Sequence, residues 1–261
     1  FCSTVYLYPG YYVLTWKSLP VAFLLFVIVR LNDIMHLNQE ELRRYRRQII
    51  IPLIGEEGQI KLKNSTVFVA GAGGLGSVSA YYLTACGVGN LIIVDKDSVD
   101  LGNLNRQILH WTGDIGRKKV ESAKEKLLKL NPNIKIEVVE DEINEENVLS
   151  LVGDAQIIVD ALDNVETRRI LNRASVKKGI PYIFGGVEGL NGMVSTFVPE
   201  ETGCFECVFP KAFKRTEEIG VIGPTPGVIG SIQAMETIKI ILGIEGTLKN
   251  RILFFSVADM S

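Results

Sequence analysis

The chain has 261 residues and a formal net charge of −2, with 47% hydrophobic and 22% charged residues. This length allows one large α/β domain, and the near-neutral charge argues against a protein that binds nucleic acid through its phosphates, because such proteins carry a basic excess. Four cysteines are too few for a disulfide scaffold at this length, so we expect a reducing, cytoplasmic location.

The first 34 residues differ in composition from the rest. Their uninterrupted apolar run, residues 21–29, is far shorter than the ~20 residues that span a bilayer, and no small-residue cleavage site follows it. Met35 stands just before the first domain-like sequence. We predict that residues 1–34 are a non-domain extension from upstream translation or a foreign source, that residues 35–261 form one domain, and that no membrane is bound. A membrane anchor is the alternative.

Beyond Met35, helix and strand patterns alternate along the chain. Helices are predicted over residues 38–49, 74–86, 116–130, 144–152, 165–179 and 230–242, with a glycine-containing linker near residues 55–58. Strands are predicted over residues 65–70, 90–95, 134–140, 155–161, 181–186, 192–199 and 251–257. This alternation predicts a Rossmann-like, mostly parallel sheet with crossover helices, and the change of pattern beyond Gly185 predicts antiparallel strands added on the C-terminal side.

A glycine-rich turn joins the first of these strands to its helix. Gly71, Gly73 and Gly76 have the GxGxxG spacing, in which glycines permit a tight turn, close approach to phosphate and close packing of helix on strand. Asp95 ends the next strand, where an acid accepts the hydroxyls of a ribose. These features predict a nucleotide site. A βα turn without a ligand is the alternative.

The residues that follow distinguish between nucleotides. Another carboxylate, Asp163, ends a later strand pattern. The two cations, Arg106 and Lys119, and the carboxylates that the ribose does not need favour a triphosphate with Mg²⁺ over NAD. The pyrophosphate of a dinucleotide is largely neutralised by the helix N-terminus and would not need these groups. The side chains between the ribose position and the next helix are Asp97, Asn103, Arg106, Gln107 and Lys119.

Between about Asn38 and Met260 the chain carries seven motifs in order: RYRRQI, GAGGLGS, VDKDSVDLGNLNRQ, GRKKVESA, DALDN, CFEC and GVIGSIQAMETIK. Together they resemble the ubiquitin-activating-enzyme-like adenylyltransferases of the MoeB/ThiF/HesA type. By this resemblance Asp95 holds the ribose and Asp163 is the essential acid near Mg²⁺, while Arg47 reaches the nucleotide of a second subunit, which implies a homodimer. The implied nucleotide-binding set is Gly71, Gly73, Gly74, Gly76, Asp95, Asp97, Asn103, Arg106, Gln107, Lys119, Asp163, Asn164 and Arg47.

The resemblance implies ATP-dependent adenylation of the C-terminal carboxylate of a small ubiquitin-like sulfur carrier ending in Gly-Gly. The catalytic residues would be Arg106, Lys119 and Asp163, with the two cations offsetting the repulsion between carboxylate and triphosphate. The carboxylate is already ionised, so no general base is needed, and His110 is interpreted as a packing or surface residue. The molybdopterin, thiamine and tRNA-thiolation pathways all remain open.

Three other functions remain open. One is a dehydratase that adenylates a carboxylate on tRNA, although the slightly acidic balance favours a protein substrate. Another is a non-catalytic subunit of an activating heterodimer, which should lose the charged residues that this chain retains. The third is a nicotinamide dehydrogenase.

The cysteines depart from the family pattern in two ways. The position matching the family's catalytic cysteine is Thr216, which argues against a covalent cysteine step, and Cys86 is interpreted as a small buried hydrophobe. The family's zinc site uses two CxxC pairs, whereas this chain has only Cys204 and Cys207. We therefore expect a zinc half-site in a chain truncated at its C-terminus. A redox-active or merely structural pair is the alternative.

Overall fold

The computed structural model describes residues 36–210 and 220–260, and the backbone of two dipeptide strands that pair antiparallel, β1 (Leu7–Tyr8) and β2 (Tyr11–Tyr12). Apart from these four residues, the predicted extension over residues 1–34 and its membrane-anchor alternative lie outside the described residues. So do Met35 and Thr216. Within the described ranges, no helix is both long and apolar enough to cross a membrane.

Helices and strands alternate through the described part of the chain. The helices are α1 (Gln39–Arg44), α2 (Arg46–Ile49), α3 (Gly55–Lys63), α4 (Gly74–Ala85), α5 (Lys119–Leu130), α6 (Val148–Val152), α7 (Val165–Lys178), α8 (Phe205–Val208) and α9 (Pro224–Leu242). The strands are β3 (Thr66–Ala70), β4 (Asn90–Val94), β5 (Lys135–Val139), β6 (Ile157–Asp160), β7 (Tyr182–Glu188), β8 (Asn191–Phe197) and β9 (Ile252–Ser256).

Strands β3 to β9 form one seven-stranded sheet in the order β5-β4-β3-β6-β7-β8-β9. Pairing is parallel from β5 to β7, and β8 and β9 are antiparallel additions at the other side. The predicted fold class, including the antiparallel C-terminal strands, is confirmed.

The sheet is covered on both faces, which explains why its inner strands are continuous apolar runs. Alternate residues of β3 point to opposite faces. Val67 and Val69 pack in a cluster with residues of α3, α4, α5 and α9, whereas Phe68 and Ala70 pack with residues of α6, α7 and α8. The strand order reverses beside β3, where β4 and β6 flank it, and ligands of such sheets bind at the carboxyl ends of strands beside this point.

Two predicted elements near the start of the domain were wrong. The single helix over residues 38–49 is broken at Tyr45, whose ring is buried and whose hydroxyl accepts a hydrogen bond from Asn131 Nδ2 at 2.8 Å. The glycine-containing linker is helix α3. Gly58 lies inside this helix. A Cβ there would be 3.2 Å from Leu242 of α9, so the glycine permits close packing of the two helices and does not end α3.

Other helix boundaries were also wrong. Helix α9 begins at Pro224, six residues before the predicted start at Gly230, since proline suits the first turn of a helix. Helix α6 begins at Val148 and not at residue 144, because Asn144 and Asn147 form local side-chain hydrogen bonds that compete with helix formation.

Candidate nucleotide site

The glycine turn between β3 and α4 brings three chain segments into close contact. Gly71 has φ +97°, a conformation that favours glycine, and its N–H donates to Val94 O at 2.8 Å. A Cβ at Gly76 would lie 1.9 Å from the carbonyl oxygen of Gly71, so no other residue fits there without displacement. Gly73 caps α4, and a Cβ at Gly74 would lie 3.2 Å from Pro226 of α9. The N-terminus of α4 is thus held at the carboxyl edge of the sheet.

Asp95 connects the end of β4 to this turn. Its half-buried carboxylate accepts from Ala72 N through Oδ2 and from Asp97 N through Oδ1, both at 2.8 Å. Each carboxylate oxygen has two acceptor positions, so both retain capacity for a further donor such as a hydroxyl.

Lys119, the first residue of α5, is buried with its ammonium group ion-paired. Its Nζ lies 2.9 Å from Asp97 Oδ2, and its backbone N–H donates to Asp97 O at 3.0 Å. The lysine side chain is 7% exposed and the aspartate 54% exposed, so solvent reaches the pair from the carboxylate side.

The segment that carries Asn103, Arg106 and Gln107 lies against the glycine turn. Asn103 Oδ1 accepts from Asp100 N at 3.1 Å, and Arg106 Nη1 donates to Gly102 O at 2.9 Å. A Cβ at Gly74 would lie 3.7 Å from Arg106 Cγ, and a Cβ at Gly73 would lie 3.8 Å from Gln107 Nε2. Gln107 is buried, and its Oε1 has no hydrogen-bond partner among the described residues.

The end of β6 carries two carboxylates in different environments. Asp160 is fully buried, accepts from Tyr182 Oη at 2.7 Å and Leu162 N at 3.0 Å, and lies 3.1 Å from Arg168 Nε. Burial raises the pKa of Asp160 above its ordinary value, although Arg168 opposes this effect. Asp163 is exposed, three residues further along the chain.

Asn164, next to Asp163, caps helix α7. Its Oδ1 accepts from Thr167 N at 2.9 Å, which leaves one acceptor position on Oδ1 and the two donors of Nδ2 for a ligand. The structure therefore places the predicted residues at one edge of the sheet, on the ends of β3, β4 and β6 and at the start of α5.

A buried polar network lies behind the turn and was missed in the sequence. His110 is 3% exposed, with Nε2 2.9 Å from Ala72 O and Nδ1 2.9 Å from Ser122 Oγ. Lys126 Nζ donates to Ser122 Oγ at 2.9 Å and lies 2.5 Å from Asp114 Oδ2. Burial raises the pKa of Asp114, but hydrogen bonds from Lys126 and Trp111 N outweigh it and lower that pKa to about 2.

A sequence signal for this network existed. Lys119, Ser122 and Lys126 recur at helical spacing on the same face as Val120, Ala123 and Leu127, which are buried. Polar residues on the buried face of a helix indicate partners inside the protein.

The remaining predicted residues lie apart from this edge or on its surface. Arg47 is exposed on α2. Cys204 caps the short helix α8, and its Sγ lies 3.2 Å from Cys207 Sγ. Burial raises the pKa of Cys204, but hydrogen bonds from Cys207 and Asn172 lower it overall below the usual thiol value. In the part of the chain that the structure describes, no group of three or more His, Cys, Asp or Glu residues could hold a metal ion.

Cys86 ends helix α4 and is half-buried against the core cluster that contains Leu83 and Val88. Burial raises the pKa of its thiol.

Comparison with known proteins assigns the family. The ThiF family model matches residues 45–261. The adenylyltransferase and sulfurtransferase MOCS3 of Culex quinquefasciatus is 42% identical over 229 residues, which cover 86% of this chain and 52% of that protein. The SAMP-activating enzyme E1 of Haloferax volcanii is 40% identical over 232 residues, which cover 87% of this chain and 86% of that protein. The sulfur carrier protein adenylyltransferase of Thermus thermophilus is 39% identical over 237 residues, which cover 87% of this chain and 88% of that protein.

Solved structures agree with this result. E. coli MccB with ATP is 28% identical with a TM-score of 0.74, covering 86% of this chain and 70% of that chain, and PaaA is 28% identical with a TM-score of 0.74, covering 86% and 82%. The chain spans about half the length of the MOCS3 proteins it matches. The chain belongs to the ThiF family, and the resemblance to the MoeB/ThiF type is confirmed.

Proposed function

We propose that this member of the ThiF family uses ATP to adenylate the C-terminal carboxylate of a small ubiquitin-like sulfur carrier that ends in Gly-Gly. The observation that carries the proposal is the meeting of a glycine turn, two cations and separate carboxylates at one edge of the sheet. Relatives that match most of this chain are named a sulfur carrier protein adenylyltransferase and a SAMP-activating enzyme, which supports the same activity.

The nucleotide would bind at the N-terminus of α4. Backbone N–H groups of Gly73 and Gly74 and the helix dipole favour a phosphate there. Asp95 would accept the ribose hydroxyls with the acceptor positions that Ala72 N and Asp97 N leave open. Gln107 Oε1, buried without a partner among the described residues, would meet a donor of the bound ligand.

The chemistry needs positive charge more than proton transfer. A carboxylate attacks the α-phosphorus and pyrophosphate leaves, so negative charges approach each other. Lys119 and Arg106 would offset that repulsion and stabilise the departing pyrophosphate, Lys119 by exchanging its contact with Asp97 for a phosphate oxygen. Asp163, exposed at the end of β6, and Asp97 have the oxygen ligands that Mg²⁺ prefers, and the ion would supply further neutralisation of the phosphates.

Several proposals concern the assembly. We propose that residues 35–261 are the catalytic domain, and that Arg47 reaches the site of a second copy in a homodimer. We propose a cytoplasmic protein that binds neither nucleic acid nor membrane. The exposed position of Arg47 on α2 leaves it available to a second chain.

The cysteine pair would supply only part of a zinc site. The two sulfurs lie 3.2 Å apart, and zinc–sulfur distances of about 2.3 Å in a tetrahedron place sulfurs about 3.8 Å apart, so a small separation of the two side chains would let both thiolates bind one metal. Structural zinc needs four ligands, and the other two would have to come from outside the described residues.

Carrier-dependent exchange of pyrophosphate into ATP tests the activity. Asp163→Ala should abolish exchange, and Lys119→Ala and Arg106→Ala should each slow it by about 10²-fold or more. Asp154→Ala is the matched control, because Asp154 is also exposed but precedes β6 at the opposite edge of the sheet. Full activity of Asp163→Ala, or equal losses in Asp154→Ala, would show that the site is misassigned.

Subunit mixing tests the dimer. Arg47→Ala and Asp163→Ala should each be inactive alone, and the mixture should recover partial activity because one hybrid site carries both groups. The absence of recovery in a mixture shown to exchange subunits would contradict a shared site.

A further inference from the structure

His110 connects two elements of the candidate nucleotide site and is itself buried. Its ring lies between the glycine turn, through Ala72 O, and helix α5, through Ser122 Oγ, at 2.9 Å on each side. Helix α5 begins with Lys119, three residues before Ser122. This buried side chain therefore joins the turn directly to the helix that carries the buried ammonium group, in addition to the connection that runs through Asp95 and Asp97.

The partners determine which nitrogen carries the proton. A carbonyl oxygen only accepts hydrogen bonds, so Nε2 is the protonated nitrogen and donates to Ala72 O. Lys126 Nζ donates to Ser122 Oγ, which turns the serine O–H towards Nδ1. Burial, together with the nearby charges of Lys119 and Lys126, lowers the pKa of His110, although the hydrogen bond to Ala72 O and the charge of Asp114 oppose this effect. The two contacts and the lowered pKa favour a neutral ring with its proton on Nε2.

The direction of the Ala72 carbonyl decides the direction of the next N–H. The C=O and N–H of one trans peptide point opposite ways, and no described peptide is cis. A carbonyl held towards His110 thus turns the Gly73 N–H away from it. The N–H of Ala72 is held by Asp95 Oδ2 at 2.8 Å. Both sides of Ala72 are fixed, which matters because its neighbours Gly71, Gly73 and Gly74 restrict the backbone little.

We propose that His110 is a positioning residue for ATP: it orients the Ala72–Gly73 peptide so that the Gly73 N–H faces a phosphate oxygen. This rests on the proposed function, since it takes ATP as the ligand. The histidine transfers no proton. Ser77 Oγ also donates to Ala72 O, at 3.4 Å, so loss of the histidine loosens the peptide without freeing it completely. The looser peptide weakens binding of ATP in the ground state and the transition state alike, so KM rises more than kcat falls.

Three variants separate this role from packing. His110→Met has similar size and no donor, whereas His110→Gln keeps an N–H near the position of Nε2. We expect His110→Met to raise the KM and the directly titrated Kd for ATP about tenfold, and His110→Gln to restore most of the loss. Ser122→Ala removes the donor to Nδ1 and should raise KM about threefold. Ser175→Ala is the matched control, because Ser175 is a buried helix serine whose Oγ donates to Ile180 O just past the end of its own helix, and it should leave KM unchanged.

The wild-type tautomer is measured by ¹⁵N NMR of the imidazole, which should show Nε2 protonated and Nδ1 unprotonated at neutral pH. An Nδ1–H tautomer, which leaves no proton on Nε2 for Ala72 O, would overturn the proposal even if His110→Met failed to fold. Equal KM increases in His110→Met and His110→Gln, or a fall in thermal stability with KM unchanged in both, would show a packing role. Failure of the wild type to bind ATP would instead refute the proposed function, while the NMR result would still stand.

Discussion

Replacing Gly76 by alanine tests how closely helix α4 approaches the glycine turn. The added carbon would lie 1.9 Å from Gly71 O, and real Cβ atoms essentially never come within 3.0 Å of such an atom, so the two must separate by at least 1.1 Å. The obstructing atom belongs to the backbone, and Gly71 is fixed in its turn by the hydrogen bond to Val94 O. The strain therefore cannot be relieved by rotating a side chain.

The expected cost follows from two opposing effects. Overpacking costs about 1–3 kcal/mol and occasionally more, and a rigid backbone obstacle favours the upper end. Alanine gains about 1 kcal/mol over glycine inside a helix. We expect Gly76→Ala to lower the free energy of unfolding by about 2 kcal/mol and to weaken ATP binding as well, because the displaced turn carries the N–H groups that we propose bind a phosphate.

Urea denaturation measures the first effect and calorimetric titration of ATP the second. Gly227→Ala is the matched control: Gly227 is also in the first turns of a helix, α9, and a Cβ there meets no heavy atom within 4 Å. The control should be neutral or more stable by up to about 1 kcal/mol. A Gly76→Ala protein within about 0.5 kcal/mol of the wild type would refute the close approach of α4 to Gly71.

Three further predictions concern other parts of the chain. Asp114→Asn should have a lower free energy of unfolding than the wild type at neutral pH. This difference should shrink by about 2 kcal/mol on acidification, because the pKa of Asp114 falls from 3.8 to about 2 on folding and its stabilisation is lost as pH falls through that range. A stability difference between the two proteins that does not change with pH would contradict the buried ion pair between Asp114 and Lys126. Metal analysis should find less than one tightly held zinc per chain, both in the wild type and in a Cys204→Ser variant. One tightly held zinc per wild-type chain that disappears in Cys204→Ser would contradict the half-site. A chain beginning at Met35 should bind ATP within about tenfold of the full chain, or 1.4 kcal/mol, and a larger loss would show that residues 1–34 contribute to the site.

Local sequence patterns were sufficient for most of the sheet. The apolar run at Val67 to Val69 is buried on both faces, so it reads as a strand without knowledge of its partners. The glycine spacing similarly located the turn. These features depend on neighbours within a few residues, and that is why the order of elements and the fold class could be predicted.

The features that were missed depend on distant partners. The break at Tyr45 accompanies a hydrogen bond to Asn131, 86 residues away, and His110 meets Ala72 across 38 residues. Helix α3 was predicted as a linker because glycine disfavours helices, and the sequence does not show that Gly58 packs against Leu242. In the DALDN motif, only the fold shows that Asp160 is the carboxylate buried with Arg168.

The position of β3 in the centre of the sheet has a consequence during synthesis. Val67 pairs with Leu91 of β4, 24 residues on, but its other neighbour, Ile157 of β6, follows 90 residues later. At about 5–20 residues per second, one edge of β3 remains unpaired for roughly 4.5–18 s after the strand is made. An apolar strand with an open edge can pair with other chains in that time. Translation that slows between residues 95 and 157 should therefore lower the yield of folded protein, and a chaperone that shields the edge should restore it.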